Sequence, residues 1–144
     1  EEEPPAAKAE FFVNELGYRP EMICVAAPTN KRFSRLQEAL RQRELEMQRI
    51  NDRDFDFSAE GLVKYSTLHS MKGLTFPVVL LLLPSVPAWA SEGYSEEQSF
   101  SLLANLIFVG MTRAMEHLNV FYKERGNRVI AALQAGQEQG PAQE

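Results

Sequence analysis

Two short stretches of this chain concentrate side chains that can act on a phosphate. In the first, Thr67-Leu-His-Ser-Met-Lys-Gly-Leu-Thr-Phe76, a hydroxyl, an imidazole, an ammonium and a glycine fall within ten residues. A glycine frees backbone N–H groups to approach an anion closely, and a loop between two strands of an α/β sheet borders the crevice where such ligands sit. The second stretch, Phe108-Val-Gly-Met-Thr-Arg-Ala114, carries Arg113. Its guanidinium is a rigid, permanently charged fork of donors, suited to neutralising charge on a phosphoryl group in transfer. Taken without context, an arginine near a helix end faces solvent, as most arginines do.

The elements around these residues follow from period and punctuation. Val63, Tyr65 and Thr67 alternate with Lys64, Ser66 and Leu68 as a strand, and the apolar run from Pro77 to Leu83 reads as a fully buried second strand. Upstream, the pattern predicts an amphipathic helix over 7–16 carrying Phe11, Phe12 and Leu16 and stopped by Gly17, then a buried strand over 22–27. Asn30 is placed to cap a helix running to about Glu44, with Phe33, Leu36 and Leu40 on one face. A short strand over 46–50 and a polar loop over 51–59 containing Phe55 and Phe57 follow. The prolines of 84–93 mark a loop. Ser95 and Gln98 form a capping box for a helix with Phe100, Leu103, Ile107 and Met111 on one side and Leu102, Leu106 and Val109 on the other, apolar all round and therefore expected to be buried. A strand over 118–122 and a helix over 128–133 close the pattern. Strands alternating with helices imply a three-layer α/β domain with a mostly parallel sheet and helices on both faces. Residues 7–135 are expected to form it, with 1–6 a frayed or disordered end and 136–144 a disordered tail.

Length and composition bound the function. The 144 residues suffice for one domain with a real core. The longest apolar run, Val78 to Leu83, is too short to span a bilayer, and no positively charged segment followed by an apolar core stands at the start, so neither a membrane nor a secreted protein is expected. The single cysteine, Cys24, sits in an apolar run and reads as a small buried hydrophobe, consistent with a reducing, cytoplasmic setting. His69, His117 and Cys24 lack ligand spacing, so no metal site is expected. Net charge is −5, which argues against wrapping a duplex by bulk electrostatics. The stretch from Lys31 to Arg53 reverses that sign locally, with seven basic residues against four acidic ones. A solvated helix face with intrahelical pairs explains much of it, and part of that face can border DNA.

The stretch Thr67–Phe76 resembles the T-x-H-x-x-K-G-L-E-F motif of the UvrD/Rep/PcrA family of superfamily 1 DNA helicases, and Phe108–Ala114 resembles its Y-V-A-x-T-R-A motif. Upstream, Ile23–Leu40 is similar to the family's I-A-V-L-x-R-T-N-x-x-S-R-x-L-E-E-A-L. The resemblance covers about Ala7 to Tyr122 and implies the second RecA-like domain of such a helicase. It implies further that Arg113 acts as an arginine finger toward ATP held by a partner domain, that Lys72 and Gly73 couple the DNA groove to the nucleotide cleft, and that Thr75 stands near the ATP ribose. Asn30, Thr67 and His69 are then the contacts to single-stranded DNA. Neither a G-x-x-x-x-G-K-[ST] loop nor a D-E-x-Q-like acidic run is present, so ATP and Mg²⁺ would be shared with an N-terminal RecA-like P-loop domain and the chain alone would not hydrolyse ATP. The family's large helical insertion is also missing, since only residues 42–62 lie where it would be.

Departures from the family pattern define an alternative. Thr75 replaces the glutamate of K-G-L-E-F, Pro28 replaces the arginine two residues before Asn30, Leu102-Leu-Ala-Asn105 stands where E-E-x-R is usual, and Phe108 replaces a tyrosine. Such a chain could be a non-catalytic interaction module that kept the fold and lost ATP coupling.

Overall fold

The computed structural model describes residues 3–50, 60–67, 70, 71, 73–83, 93 and 95–121. Its centre is β1 (Ile23–Ala27), five residues that are all buried. A strand this apolar on both faces belongs inside a parallel sheet covered on both sides. β3 (Leu62–Thr67) lies on one flank of β1 and β4 (Phe76–Leu82) on the other, while β2 (Glu46–Arg49) and β5 (Ala114–Phe121) complete a five-stranded sheet in the order β2-β3-β1-β4-β5. Every neighbouring pair is parallel.

Alternate residues of the central strands feed two separate cores. Ile23, Val25 and Ala27, with Tyr65 and Leu80, pack under Ala6, Ala9 and Phe12 of helix α1 (Glu3–Asn14) and under Leu36 and Leu40 of helix α2 (Phe33–Arg41). Cys24, Ala26, Val79 and Leu81 face the other way, toward Met71 and toward Ile107 of helix α3 (Glu96–Arg113). Helices therefore cover both faces, and the molecule is the three-layer RecA-like α/β domain that the sequence implies.

Several boundaries move for identifiable reasons. α1 starts at Glu3, four residues before the apolar pattern indicates, with Pro5 and Ala6 buried. Prolines in the first turn sacrifice no helical hydrogen bond, and Arg43 ties this end down by pairing with Glu3 and, at 2.5 Å, with Glu10. Phe12 faces the core, whereas Phe11 and Leu16 are exposed. Asn30 does not cap α2. The helix begins at Phe33 with no side-chain cap, because residues 28–32 make a turn in which Lys31 N–H donates to Thr29 Oγ1 at 3.3 Å and Phe33 N–H to the Asn30 carbonyl at 3.1 Å.

α2 ends at Arg41, short of the expected Glu44, because Glu44 adopts φ 64°. Leu45 N–H then reaches back to the Leu40 carbonyl and Glu44 N–H to the Arg41 carbonyl, both at 2.9 Å, closing the two-bond Schellman arrangement. The Ser95 capping box forms as expected. The expectation that α3 is buried all round is not met: Ile107 and Gly110 are buried, yet Phe108 and Met111 are exposed, since only one side of the helix rests on β4 and β5. β5 begins immediately after Arg113, four residues ahead of the expected Leu118. The loop over 51–59, the helix over 128–133, the tail over 136–144 and all but Gly93 of the 84–93 loop lie outside the described residues. No described helix is long and apolar enough to cross a membrane.

Candidate functional site

Strand register sorts the candidate residues into two groups. Ala27 pairs with Thr67, so the turn carrying Asn30 and the end of β3 leave the same carboxyl-terminal edge of the sheet side by side. At the opposite edge Phe76 pairs with Ala114, which sets Thr75 beside Arg113. Between Thr67 at the first edge and Phe76 at the second, the described Met71 and Leu74 pack into the core that α3 also covers. Gly73 lies in the same connection over 68–75. His69 and Lys72 also belong to it by sequence and lie outside the described residues.

At the carboxyl-terminal edge, Asn30 is exposed and its turn is pinned from below. The hydroxyl of Tyr65, a fully buried side chain, donates to the Thr29 carbonyl at 2.8 Å. Thr67 is largely engaged in local structure: its Oγ1 accepts Ser70 N–H at 3.3 Å and donates to Ser70 Oγ at 3.0 Å, and its carbonyl accepts from Ser70 and Met71 N–H. That network explains threonine here by turn geometry, while leaving its hydroxyl one lone pair.

At the amino-terminal edge, Gly73 adopts φ 83° with nothing within 4 Å of where a Cβ would lie, so conformation rather than crowding selects glycine. Thr75 is exposed. Arg113 ends α3 half-buried, its Nε and Nη2 donating to Thr112 Oγ1 at 3.3 and 3.2 Å, and Thr112 in turn donates to the Val109 carbonyl at 2.9 Å. Among the described residues no carboxylate pairs with this guanidinium, which keeps most of its donor fork open. Three large apolar side chains close to it in sequence are exposed, Phe108 at 65%, Met111 at 45% and Met115 at 64%.

Other polar groups in the interior are structural. Lys64 is buried in the middle of the sheet, with Nζ donating to Gln48 Oε1 at 2.5 Å. Burial pushes the Cys24 thiol up, opposed only in part by the Lys64 charge across the strand pair. The Glu21 carboxylate accepts Gly61 N–H at 2.9 Å, a bond that holds it below the usual carboxylate range. Among the described residues no group of three or more His, Cys, Asp or Glu side chains is placed to hold a metal ion. Sequence reasoning missed Tyr65, Met71 and Thr112, which position the two edges. Tyr65 and Met71 look like ordinary core residues, and only the T-R adjacency hints at Thr112.

Comparison with known families gives an independent result. Residues 21–125 match the family model described as the UvrD-like helicase C-terminal domain. The chain belongs to that family. As a UvrD-like C-terminal domain it also superposes on the crystal structure of the C-terminal domain of a possible DNA helicase from Lactobacillus plantarum WCFS1, with a TM-score of 0.55 and 16% identity over 83% of this chain. It spans 64% of that structure's length, and at such identity the likeness concerns the fold. No match is found among curated proteins.

Proposed function

We propose that this UvrD-like domain is the second RecA-like half of a superfamily 1 DNA motor, supplying Arg113 to ATP held by a P-loop domain and Asn30, Thr67 and His69 to single-stranded DNA. The observation that carries the reading is the pairing of Phe76 with Ala114, which sets an open guanidinium beside Thr75 on the edge of the sheet opposite the one that holds Asn30 and Thr67. Exposed Phe108, Met111 and Met115, all within five residues of Arg113 in sequence, support it, since large apolar side chains left in solvent fit a surface that another domain covers.

Gly73, Thr75 and Arg113 would approach the triphosphate from the side opposite the P-loop, with Lys72 beside them in sequence. Mg²⁺ would be held by the P-loop domain, where it neutralises charge between the terminal phosphates. Arg113 keeps its fork aimed through Thr112, so its contribution falls on charge that develops during transfer. The connection over 68–75 joins both edges and is the shortest covalent route by which DNA occupancy can bias the nucleotide side. Steady-state ATP turnover of the protein carrying both domains, with Arg113→Ala beside wild type, tests the assignment. Near-complete loss of turnover with DNA binding retained is expected. Undiminished turnover would make Arg113 structural and favour the interaction module, to which the departures at Pro28 and Thr75 point.

A further inference from the structure

We infer that Phe33 and Arg49 form a base-stacking platform for single-stranded DNA at the carboxyl-terminal edge of the sheet, an extension of the nucleic-acid reading above and resting on it. Phe33 opens α2 and is half-buried. Its inner side is set by Tyr65, whose ring meets it edge-on with centroids 5.1 Å apart and planes at 75°. Tyr65 is itself locked by the hydroxyl bond to Thr29, so the orientation of Phe33 is coupled to the turn that presents Asn30. Arg49 ends the edge strand β2, directly opposite Tyr65 in register, and its Cζ lies 5.5 Å from the Phe33 centroid. The result is a guanidinium over a phenyl ring that meets the buried phenol ring edge-on, fixed at the Tyr65 end and open to solvent at Arg49, which is exposed.

The surroundings fit a nucleic-acid strand. Exposed Lys31 and Arg35 flank Phe33 in the chain, no acidic residue occurs between Lys31 and Gln37, and neither they nor Arg49 pairs with a carboxylate among the described residues. A locally cationic surface with a flat π face is unusual on a chain of net charge −5. Bases stack on such faces whatever their identity, because each has a π surface, while adjacent cations follow the phosphates. An exposed guanidinium–phenyl contact is weak, so Arg49 can leave the ring to admit a base or stack with its own outer plane.

The test is binding of the chain to a short deoxythymidine oligonucleotide carrying one 2-aminopurine, whose emission is quenched by stacking. Phe33→Leu keeps most of the packing volume and removes the π face; Arg49→Lys keeps the charge and removes the plane. Each is expected to weaken binding by roughly 5-fold or more, the effect of losing one stacked base, and to reduce quenching, with little change in salt dependence. Lys31→Ala and Arg35→Ala should instead lower the salt slope, by about 0.7 for each phosphate that is no longer neutralised. Wild-type affinity and quenching in Arg49→Lys and Phe33→Leu overturn the platform while leaving the wider DNA reading in place. Absence of any binding by wild type overturns both. Circular dichroism checks that Phe33→Leu remains folded, and if it does not, Arg49→Lys decides alone.

Discussion

Thr112 decides how Arg113 is held at the end of its helix. Thr112 Oγ1 accepts from two guanidinium nitrogens, and its own proton goes to the Val109 carbonyl, so the arginine is oriented by a neighbour that the helix already holds. An arginine that acts on the transition state should lower kcat far more than it raises KM when removed. In the two-domain protein, Arg113→Ala is expected to reduce kcat by on the order of 10³-fold. Arg113→Lys should recover little, because an ammonium cannot reproduce the planar fork. Cys24 gives a plainer prediction. Its thiol is fully buried and its ionisation is pushed up by burial, so a thiol-specific reagent should leave the native chain unmodified and label it fully in denaturant; rapid native labelling would contradict the central position of β1. The chemistry-bearing residues themselves are legible as residue types in two short stretches, whereas their division between two edges is not, since that depends on register between strands far apart in sequence.

At the scale of elements, strands are easier to read than helix ends. β1 and β4 announce themselves because burial on both faces demands unbroken apolar runs, and the Ser95 box is visible because its partner, Gln98, lies at a fixed spacing. The sequence pattern misplaces the start of α2 at Asn30 because Phe33 N–H is taken by the Asn30 main-chain carbonyl and not by its side chain, and it misplaces the end because Glu44, not glycine, occupies the left-handed position. That left-handed glutamate yields a prediction. A non-glycine residue held at φ 64° bears a steric penalty of about 1–2 kcal/mol. Glu44→Gly is therefore expected to stabilise the chain by roughly 0.5–1 kcal/mol once the added freedom of the unfolded state is subtracted. Ser95→Ala should destabilise by about 1 kcal/mol through loss of the bond that Gln98 N–H donates to Ser95 Oγ, while the backbone N–H of residue 95 can still donate to the Gln98 side chain. Chemical denaturation midpoints for the two variants measure both effects, and a destabilised Glu44→Gly would show that the Glu44 side chain contributes more than the backbone strain it causes.

The whole molecule combines an acidic sum with a basic edge, and this decides how it should behave alone. Its net charge of −5 repels a polyanion at long range, while Lys31, Arg35 and Arg49 attract it locally. Salt shortens the reach of both effects, but only the local contacts release counterions condensed on the strand. Two phosphate contacts, at Lys31 and Arg35, imply a fall in log affinity with log salt of slope near 1.4, taking about 0.7 for each contact to a single strand. Binding of the isolated chain to single-stranded DNA is thus expected to be weak at low salt and lost near physiological salt, because one domain supplies one half of a groove. ATP turnover by the isolated chain should remain at background with or without DNA, since nothing in its sequence cradles the phosphates opposite Arg113. Adding the P-loop domain should restore turnover and deepen the salt slope together, because both depend on closing the surface that Phe108, Met111 and Met115 leave exposed. Titration of DNA affinity against salt, with ATPase followed in the same samples, measures both quantities. Turnover by the chain alone that disappears in Arg113→Ala would place a complete nucleotide site within these 144 residues and remove the reason for a partner domain.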